Sequence, residues 1–335
     1  MNNRLLSVEN LHIAFRTYAG RVYAVNGMTF HINRNEIFGL VGESGCGKSM
    51  TAMAILNLVP HGGEITQGRI LFEGKNILDM NENEMHNLRG RRIAMIFQDP
   101  TTSLNPVFTV GYQTVLVITQ HMKISPEQAR QRALEMYEAV ALPDPQRIYR
   151  TYPHQLSGGM QQRVMIAMAL ACGADLLIAD EPTTALDVTI QAQILALLND
   201  LRREQNISIL LITHNLGVVA ETCDRVGVAY AGSVVEMGNT QDVIFHTQHP
   251  YTQGLLAALP RPSTRKRMLQ SIPGSVPDGL TPIIGCPFSS RCPHTMQICR
   301  NEMPTLLPAS GSHAEQVAGE RHMVSCHLYS AEGIR

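Results

Sequence analysis

The strongest constraint on the fold is a glycine-rich segment that follows a short apolar run. Residues 42–49 read G-E-S-G-C-G-K-S, and residues 36–41 before them are apolar enough to form a buried strand. Residues 50–59 hold good helix formers and no proline. A strand, a glycine-rich turn and a helix in this order match the phosphate-loop pattern G-x-x-x-x-G-K-[ST]. Backbone N–H groups of such a loop point inward at an anion, and the helix N-terminus adds partial positive charge.

This loop predicts a site for a nucleoside triphosphate with Mg²⁺. We expect Lys48 to reach the β- and γ-phosphates and the Ser49 hydroxyl to ligate Mg²⁺. The alternative is a glycine-rich turn with a chance lysine, and the flanking strand and helix argue against it. The predicted contacts are Gly42, Glu43, Ser44, Gly45, Cys46, Gly47, Lys48, Ser49 and Met50.

Composition narrows the class of protein. The chain has 335 residues, 44% hydrophobic and 16% charged, which fits one large globular domain plus a smaller one, or two domains. A net charge of −1 gives no general reason to bind nucleic acid or anionic lipid. No stretch approaches the ~20 apolar residues of a membrane helix, and the N-terminus lacks signal-peptide features. Seven cysteines in such a chain favour a reducing cytoplasm, with metal or cluster ligation ahead of disulfides.

Polar side chains follow three further apolar runs, at the position where α/β sheets carry ligand contacts. They are Gln98 after residues 93–97, Asp180 and Glu181 after residues 176–179, and His214 after residues 209–213. Asp180 suits Mg²⁺ ligation, and Glu181 suits polarising the water that attacks the γ-phosphate. Gln98 is either a Mg²⁺ or water ligand or a simple strand-ending turn. A lone histidine is more often structural, but the place of His214 at the end of a presumed sheet strand favours a site residue.

The segments around this core differ from it in their sequence patterns. Residues 4–35 alternate apolar and polar residues and predict antiparallel strands. This part contains three aromatic residues, Phe15, Tyr18 and Tyr23. They are either core residues, or one of them stacks on a nucleotide base, and the sequence does not show which of the three would do so. Residues 110–165 look helical, with Ser125 as an N-cap, so we interpret about 100–165 as a helical insertion. It leads to L-S-G-G-M at 156–160, a second helix start able to bind an anion.

At this point the motifs resemble those of an ABC-transporter ATPase. In chain order they are the phosphate loop, Gln98, L-S-G-G-M at 156–160, L-L-I-A-D-E-P at 176–182, T-A-L-D at 184–187 and His214. The resemblance implies a P-loop NTPase fold of the α/β class with an antiparallel β subdomain, a helical insertion and a cysteine-containing C-terminal extension. The implied boundaries are 1–259 for the nucleotide-binding domain and 260–335 for the extension.

The resemblance also implies roles for these residues in a head-to-tail pair of ATPase domains. One ATP is expected to be served by Lys48, Ser49, Gln98, Asp180, Glu181 and His214. Within this set, Mg²⁺ is expected to be held by Ser49, Gln98 and Asp180. Ser157, Gly158 and Gly159 are expected to contact the ATP of the partner domain, and Asp187 to lie in the loop that links the two sites. Asn215 departs from the family pattern, which usually has aspartate after the histidine.

A finer resemblance is to the oligopeptide, dipeptide and nickel branch of ABC importers. It rests on residues 98–106, 249–252, 272–274 and 286–293. It implies ATP-driven import of peptides, nickel or metal chelates, or similar solutes, at the cytoplasmic face of the inner membrane. The implied partners are two membrane permeases, a second and similar ATPase and, indirectly, a solute-binding protein, but no nucleic acid.

Two other functions compete with this interpretation. A soluble ABC ATPase acting on nucleic acid or ribosomes is disfavoured by the single set of motifs, the near-neutral charge and the lack of a heptad run. An assembly subunit without useful hydrolysis is disfavoured because Lys48, Asp180, Glu181 and His214 are all present.

Four cysteines near the C-terminus form a separate motif with the spacing C-x5-C-x6-C-x26-C. They are Cys286, Cys292, Cys299 and Cys326. They resemble the cysteines that hold a four-iron four-sulfur (4Fe-4S) cluster in some peptide-importer ATPases, and four soft thiolates suit such a cluster. Zinc and free thiols are the alternatives, because spacing alone does not fix a metal. Nearby histidines that could replace a thiolate are His294, His313, His322 and His327.

Overall fold

The computed structural model describes residues 3–184, 186–259, 271–309 and 321–329. Its strands, in chain order, are β1 Arg4–Thr17, β2 Gly20–Asn33, β3 Ile37–Val41, β4 Gly63–Phe72, β5 Lys75–Asn76, β6 Ile93–Ile96, β7 Leu176–Asp180, β8 Ser208–Thr213, β9 Arg225–Tyr230, β10 Ser233–Asn239, β11 Leu307–Pro308 and β12 Met323–Val324. Its helices are α1 Lys48–Ile55, α2 Glu82–Leu88, α3 Pro100–Ser103, α4 Val110–His121, α5 Pro126–Ala139, α6 Pro145–Tyr149, α7 Gly158–Leu170, α8 Val188–Gln205, α9 Leu216–Thr222, α10 Thr240–Phe245, α11 Pro250–Ala257 and α12 Gln297–Asn301. Within the described ranges, no helix has both the length and the apolar character needed to cross a bilayer.

The chain divides into two compact units. The first unit is built from residues up to 32, residues 38–78 and the described residues from 213 onward. The second unit contains residues 33–37 and, except for residue 185, residues 79–212.

An antiparallel sheet in the first unit has the strand order β2-β1-β4-β5. β1 pairs antiparallel with β4, with Leu6 opposite Phe72 and Phe15 opposite Gly63. Alternate residues of β1, among them Leu6 and Val8, are fully buried, as expected for a sheet with one face on the core. The predicted antiparallel strands at the N-terminus are therefore confirmed.

The phosphate loop in the first unit leaves a buried parallel strand. β3 pairs parallel with β9, with Phe38 opposite Arg225 and Val41 opposite Val228. All residues of both strands are buried, which is why each reads as an almost continuous apolar run. β9 also pairs antiparallel with the next strand, β10.

The second unit carries three parallel strands whose carboxyl ends lie at one edge. β6 pairs with β7, placing Ile96 opposite Ala179, and β7 pairs with β8, placing Asp180 opposite Ile212. Parallel strands in register bring the residues that follow them to the same edge of the sheet.

Helices α3 to α7 of the second unit occupy the region predicted as a helical insertion. α5 begins as predicted: the Ser125 side chain accepts a hydrogen bond from the N–H of Gln128, whose side chain in turn accepts from the N–H of Ser125. This capping box satisfies two of the N–H groups that a helix start leaves unpaired. Inside the group, Tyr137 is fully buried and its hydroxyl lies 2.7 Å from that of Thr114.

The C-terminal segments of the first unit are tied to β10 through a buried carboxylate. β12 pairs antiparallel with β10, and Glu236 of β10 is fully buried. Its carboxylate accepts hydrogen bonds from the N–H groups of Gln248 and His249, and lies 2.9 Å from Nε2 of His322. Several donors are needed because a buried carboxylate without partners is costly.

This arrangement predicts that His322→Ala destabilises the protein. The substitution removes a donor from a fully buried carboxylate, so we expect a loss of about 2–3 kcal/mol in the free energy of unfolding, measured by urea denaturation.

The matched control is Arg69→Ala, which breaks the exposed ion pair between Arg69 and Glu9. Exposed pairs contribute little, so that loss should stay below about 1 kcal/mol. Equal losses in the two variants would contradict a special role for the buried carboxylate.

Candidate active site

The phosphate loop joins β3 to α1 in the first unit. Gly45 and Gly47 have φ values of +81° and +92°, a backbone region that favours glycine. Gly42 is required for another reason, since a Cβ there would lie 2.1 Å from the carbonyl oxygen of Ala229 in β9. A Cβ at Gly45 would meet nothing within 4 Å. The loop is thus packed tightly where it begins and open at its tip.

Lys48 lies inside the loop. Its side chain is buried, and Nζ donates hydrogen bonds to the carbonyl oxygens of Gly42 at 2.8 Å and Glu43 at 3.0 Å. It opens α1, whose first turn contains no acidic side chain and also includes Ser49 and Met50. The ammonium group and the helix N-terminus therefore supply positive charge at the same loop.

Cys46 packs beneath the loop as a neutral thiol. It is buried, and its Sγ lies 3.5 Å from Nζ of Lys48. Burial raises the pKa of Cys46 above its usual value, although the neighbouring lysine acts in the opposite direction. Its side chain therefore serves packing, while its N–H belongs to the loop backbone.

His214, also in the first unit, follows the last residue of β8. The next residue, Asn215, is the N-cap of α9, and its side chain accepts a hydrogen bond from the N–H of Gly217 at 2.9 Å. Thr213 Oγ1 in turn accepts from the N–H of Asn215. Asparagine caps a helix as well as aspartate does, so the departure at Asn215 keeps the cap that fixes the backbone beside His214.

In the second unit, Gln98 and Glu181 come together at the ends of β6 and β7. Nε2 of Gln98 donates to Oε2 of Glu181 at 3.0 Å, and the hydroxyl of Thr184 donates to the same oxygen at 2.9 Å. Glu181 has a φ of +47°, and its N–H donates to the carbonyl of Ile212 in β8. Asp180, the last residue of β7, is buried. The positive φ of Glu181 is uncommon for a residue other than glycine, and its neighbours hold it in this conformation, as often occurs at functional sites.

Ser157, Gly158 and Gly159 form the start of α7 in the second unit. Ser157 is the N-cap, and its side chain accepts a hydrogen bond from the N–H of Met160. A Cβ at Gly159 would lie 2.7 Å from Cγ2 of Ile190, so glycine allows α7 to approach α8 closely. Ser157 and Gly158 are exposed, which leaves this helix start accessible to an anion.

Asp187 caps the next helix in the same unit. Its side chain accepts a hydrogen bond from the N–H of Ile190 at 3.0 Å, which fixes the start of α8. The neighbouring Val188 is 83% exposed.

The structure thus groups the predicted residues by unit. The first unit holds the phosphate loop and His214; the second holds Gln98, Asp180, Glu181, Ser157, Gly158, Gly159 and Asp187. Of the three aromatic candidates for base stacking, Phe15 packs against the backbone of Gly63, whereas Tyr18 is fully exposed.

Sequence reasoning missed the partners of Glu43. Its carboxylate pairs with Arg291, and its N–H donates to the hydroxyl of Tyr251. An acidic residue inside an anion-binding loop is an unusual feature that the sequence does show. Nothing in the sequence, however, indicates which cation, 248 positions away, pairs with it.

The four C-terminal thiols lie near one another but do not form a metal site in this structure. Burial, followed by the neighbouring thiols Cys299, Cys326 and Cys292, raises the pKa of Cys286 to about 12. In the part of the chain that the structure describes, no set of three or more His, Cys, Asp or Glu side chains is arranged to hold a metal ion. The structure therefore does not support the predicted 4Fe-4S cluster or its zinc alternative.

The nearby histidines do not complete such a set. His322 contacts Glu236, and Nε2 of His327 lies 2.9 Å from the carbonyl oxygen of Glu302. His313 is outside the described residues.

Comparison with known proteins places this geometry in a family. The ABC transporter family model matches residues 25–184, and the model for the oligopeptide/dipeptide transporter C-terminal region matches residues 235–299. The chain is 48% identical to the dipeptide transport ATP-binding protein DppD of Bacillus subtilis (strain 168), over 97% of this chain and 95% of that protein. It is 50% identical to the oligopeptide transport ATP-binding protein OppD of the same organism, over 92% of this chain and 87% of that protein.

A solved structure confirms the predicted P-loop fold. The dimeric post-hydrolysis structure of the ATP-binding cassette MJ0796, bound to ADP and Pi, is 28% identical to this chain with a TM-score of 0.61. The similarity covers 70% of this chain and 98% of that one. This chain therefore belongs to the ABC transporter family, as an ATP-hydrolysing, ATP-binding subunit.

Proposed function

We propose that this chain energises the import of dipeptides or oligopeptides. The observation that carries the proposal is the joint presence of a full set of ATPase motifs and a C-terminal region, 235–299, of the oligopeptide/dipeptide type. Similarity to peptide-transport ATP-binding proteins extends over nearly the whole chain, which favours peptides over nickel or other metal chelates.

ATP would bind at the phosphate loop. N–H groups at the tip of the loop and the ammonium of Lys48 offer positive charge to the phosphates. Because Lys48 already lies within the loop, bound phosphate would replace the carbonyl oxygens of Gly42 and Glu43 as its partners. His214, fixed by the capped start of α9, would contact the γ-phosphate.

Three oxygen donors suit Mg²⁺. The hydroxyl of Ser49, the amide of Gln98 and the carboxylate of Asp180 are hard ligands of the kind that Mg²⁺ prefers. When bound, Mg²⁺ neutralises charge on the β- and γ-phosphates.

Glu181 would polarise the attacking water. The water oxygen bonds to the γ-phosphorus as the bond from that phosphorus to the bridging oxygen of ADP breaks, and the water proton moves toward the Glu181 carboxylate. Hydrogen bonds from Gln98 and Thr184 fix the orientation of that carboxylate. A fixed base lowers the cost of reaching the reactive geometry.

A second ATPase subunit, identical or similar, would complete each site. The exposed helix start at Ser157 and Gly158, followed by Gly159, presents N–H groups to an anion on another molecule. Asp187 lies in the adjoining loop and would couple the two sites. The dimeric state of the MJ0796 cassette supports this arrangement.

Membrane permeases would contact an exposed apolar surface of the second unit, which we call the α4 patch. It consists of Val107, Phe108, Tyr112 and Leu116, which are 44–68% exposed. Phe108 and Tyr112 lie with ring centroids 5.0 Å apart. Contiguous exposed apolar side chains of this kind mark interaction sites. Binding there would hold the chain at the cytoplasmic face of the cell membrane, with a solute-binding protein acting through the permeases.

Purification of the tagged chain from gently solubilised membranes tests the peptide proposal. We expect two multi-span permeases and a second ATPase to co-purify, and the associated solute-binding protein to bind dipeptides or oligopeptides. A complex without permeases would refute the transport role, whereas a solute-binding protein that prefers a metal chelate would refute only the peptide assignment.

We expect Glu181→Gln to bind ATP like the unmodified protein but to lose at least about 100-fold in hydrolysis, because a neutral amide cannot take a proton from water. ATP binding and phosphate release, measured in the assembled complex, check this. Glu204→Gln is the matched control, since Glu204 is an exposed residue of α8. Undiminished hydrolysis in Glu181→Gln would refute the role of Glu181.

For the α4 patch, we expect Leu116→Glu to reduce recovery of permeases by about tenfold or more, because a charge would be buried in an apolar contact. ATP binding by the purified chain should be unchanged. Phe245→Glu is the control, since Phe245 is 70% exposed in the first unit. Equal recovery of permeases with both variants would place the contact elsewhere.

A further inference from the structure

The phosphate loop contains one acidic side chain, and the C-terminal part of the first unit supplies its cation. Nη1 of Arg291 lies 2.6 Å from Oε2 of Glu43, and Nη2 lies 3.1 Å from Oε1. This two-pronged geometry is the strong form of an ion pair. The Arg291 side chain is 4% exposed and that of Glu43 is 29% exposed, so water screens the pair incompletely.

Arg291 is held rigidly. Nε donates to the carbonyl of Pro273 at 3.0 Å, and Nη2 also donates to the carbonyl of Ile272. The guanidinium lies 5.7 Å from the ring centre of Tyr230 and 6.0 Å from that of Phe288. The cation is therefore positioned by the fold whether or not Glu43 is present.

The backbone of Glu43 is held by the same part of the chain. Its N–H donates to the hydroxyl oxygen of Tyr251 at 3.0 Å. Burial raises the pKa of Tyr251, so this hydroxyl stays neutral. Because Tyr251 fixes the backbone independently of Arg291, the effect of the Arg291 charge can be separated from the position of the loop.

The charge of Glu43 affects how strongly the loop can bind ATP. ATP carries several negative charges, and a carboxylate in the loop that binds its phosphates would repel it. We propose that Arg291 controls nucleotide affinity by cancelling the charge of Glu43, so that Lys48 and the loop N–H groups determine the field at the phosphates. Arg291 acts through Glu43 and is a positioning residue that does not contact the nucleotide. The inference rests on ATP binding at this loop.

A purely structural role for the pair makes different predictions. If Arg291 only fastens the C-terminal part to the loop, then removing either partner should weaken ATP binding, and removing both should be no better. If Arg291 cancels charge, removing Glu43 as well should restore ATP binding, because no uncancelled carboxylate remains.

The test measures the dissociation constant of ATP for the full chain, by calorimetry without Mg²⁺ so that no hydrolysis occurs. We expect Arg291→Gln to weaken binding by about tenfold. Arg291→Lys, which keeps the charge, should lose about threefold or less, and the double variant Arg291→Gln, Glu43→Gln should return to within about threefold of the unmodified chain. Glu43→Gln alone should bind ATP at least as tightly as the unmodified chain.

Salt provides an independent readout. The loss of ATP affinity caused by Arg291→Gln should shrink as ionic strength rises to about 1 M, where the screening length falls to about 3 Å. A deficit caused by misplaced structure would not respond in this way. Arg69→Gln, which breaks an exposed pair of the same unit, should leave ATP binding unchanged.

Several results would overturn the proposal. They are a double variant as weak as Arg291→Gln, a salt-independent deficit, or weaker ATP binding by Glu43→Gln alone. The last measurement leaves Arg291 intact, so it decides the question even if variants at position 291 fail to fold. Failure of the unmodified chain to bind ATP would instead refute the function of the loop itself, which distinguishes the two failures.

Discussion

The nucleotide half of this protein depends on the close approach of the phosphate loop to β9. At Gly42 the backbone lies so near the carbonyl of Ala229 that only a residue without a side chain fits. From this fixed point Lys48 bonds back to the start of the loop, and the N–H of Gly232 donates to the carbonyl of Cys46. Contacts within the protein thus support the shape of the loop, and a loop supported in this way loses less conformational entropy when an anion binds.

The second unit solves a different problem, which is to hold the proposed base, Glu181, in one orientation. Glu181 adopts a left-handed backbone conformation that a strand residue would avoid, and its N–H is tied to the neighbouring strand β8. Gln98 and Thr184 then donate to its carboxylate. A strained residue of this kind persists only where its surroundings hold it, and such strain is typical of functional sites.

Local patterns could be predicted from the sequence, whereas long-range pairings could not. The phosphate loop, the capping box at Ser125 and the strand-ending polar residues each depend on neighbours within a few positions, so their physical causes are visible in the sequence. The Arg291–Glu43 pair joins residues 248 positions apart, and many arginines could satisfy the same carboxylate. The four cysteines show the converse limit, since their number and type resemble those of a cluster site, whereas the described part of the structure does not arrange them to hold a metal ion. Spacing fixes which ligands exist, but the fold fixes where they point.

The first unit is assembled from segments at both ends of the chain, with most of the second unit encoded between them. During synthesis β3 and its loop emerge early, but β9, Tyr251 and Arg291 emerge only after residues 79–212 have been made. Contacts of such high sequence separation form late, while the intervening unit can fold first. A nascent or prematurely terminated chain therefore lacks the contacts from β9 and Tyr251 that support the loop in the full chain.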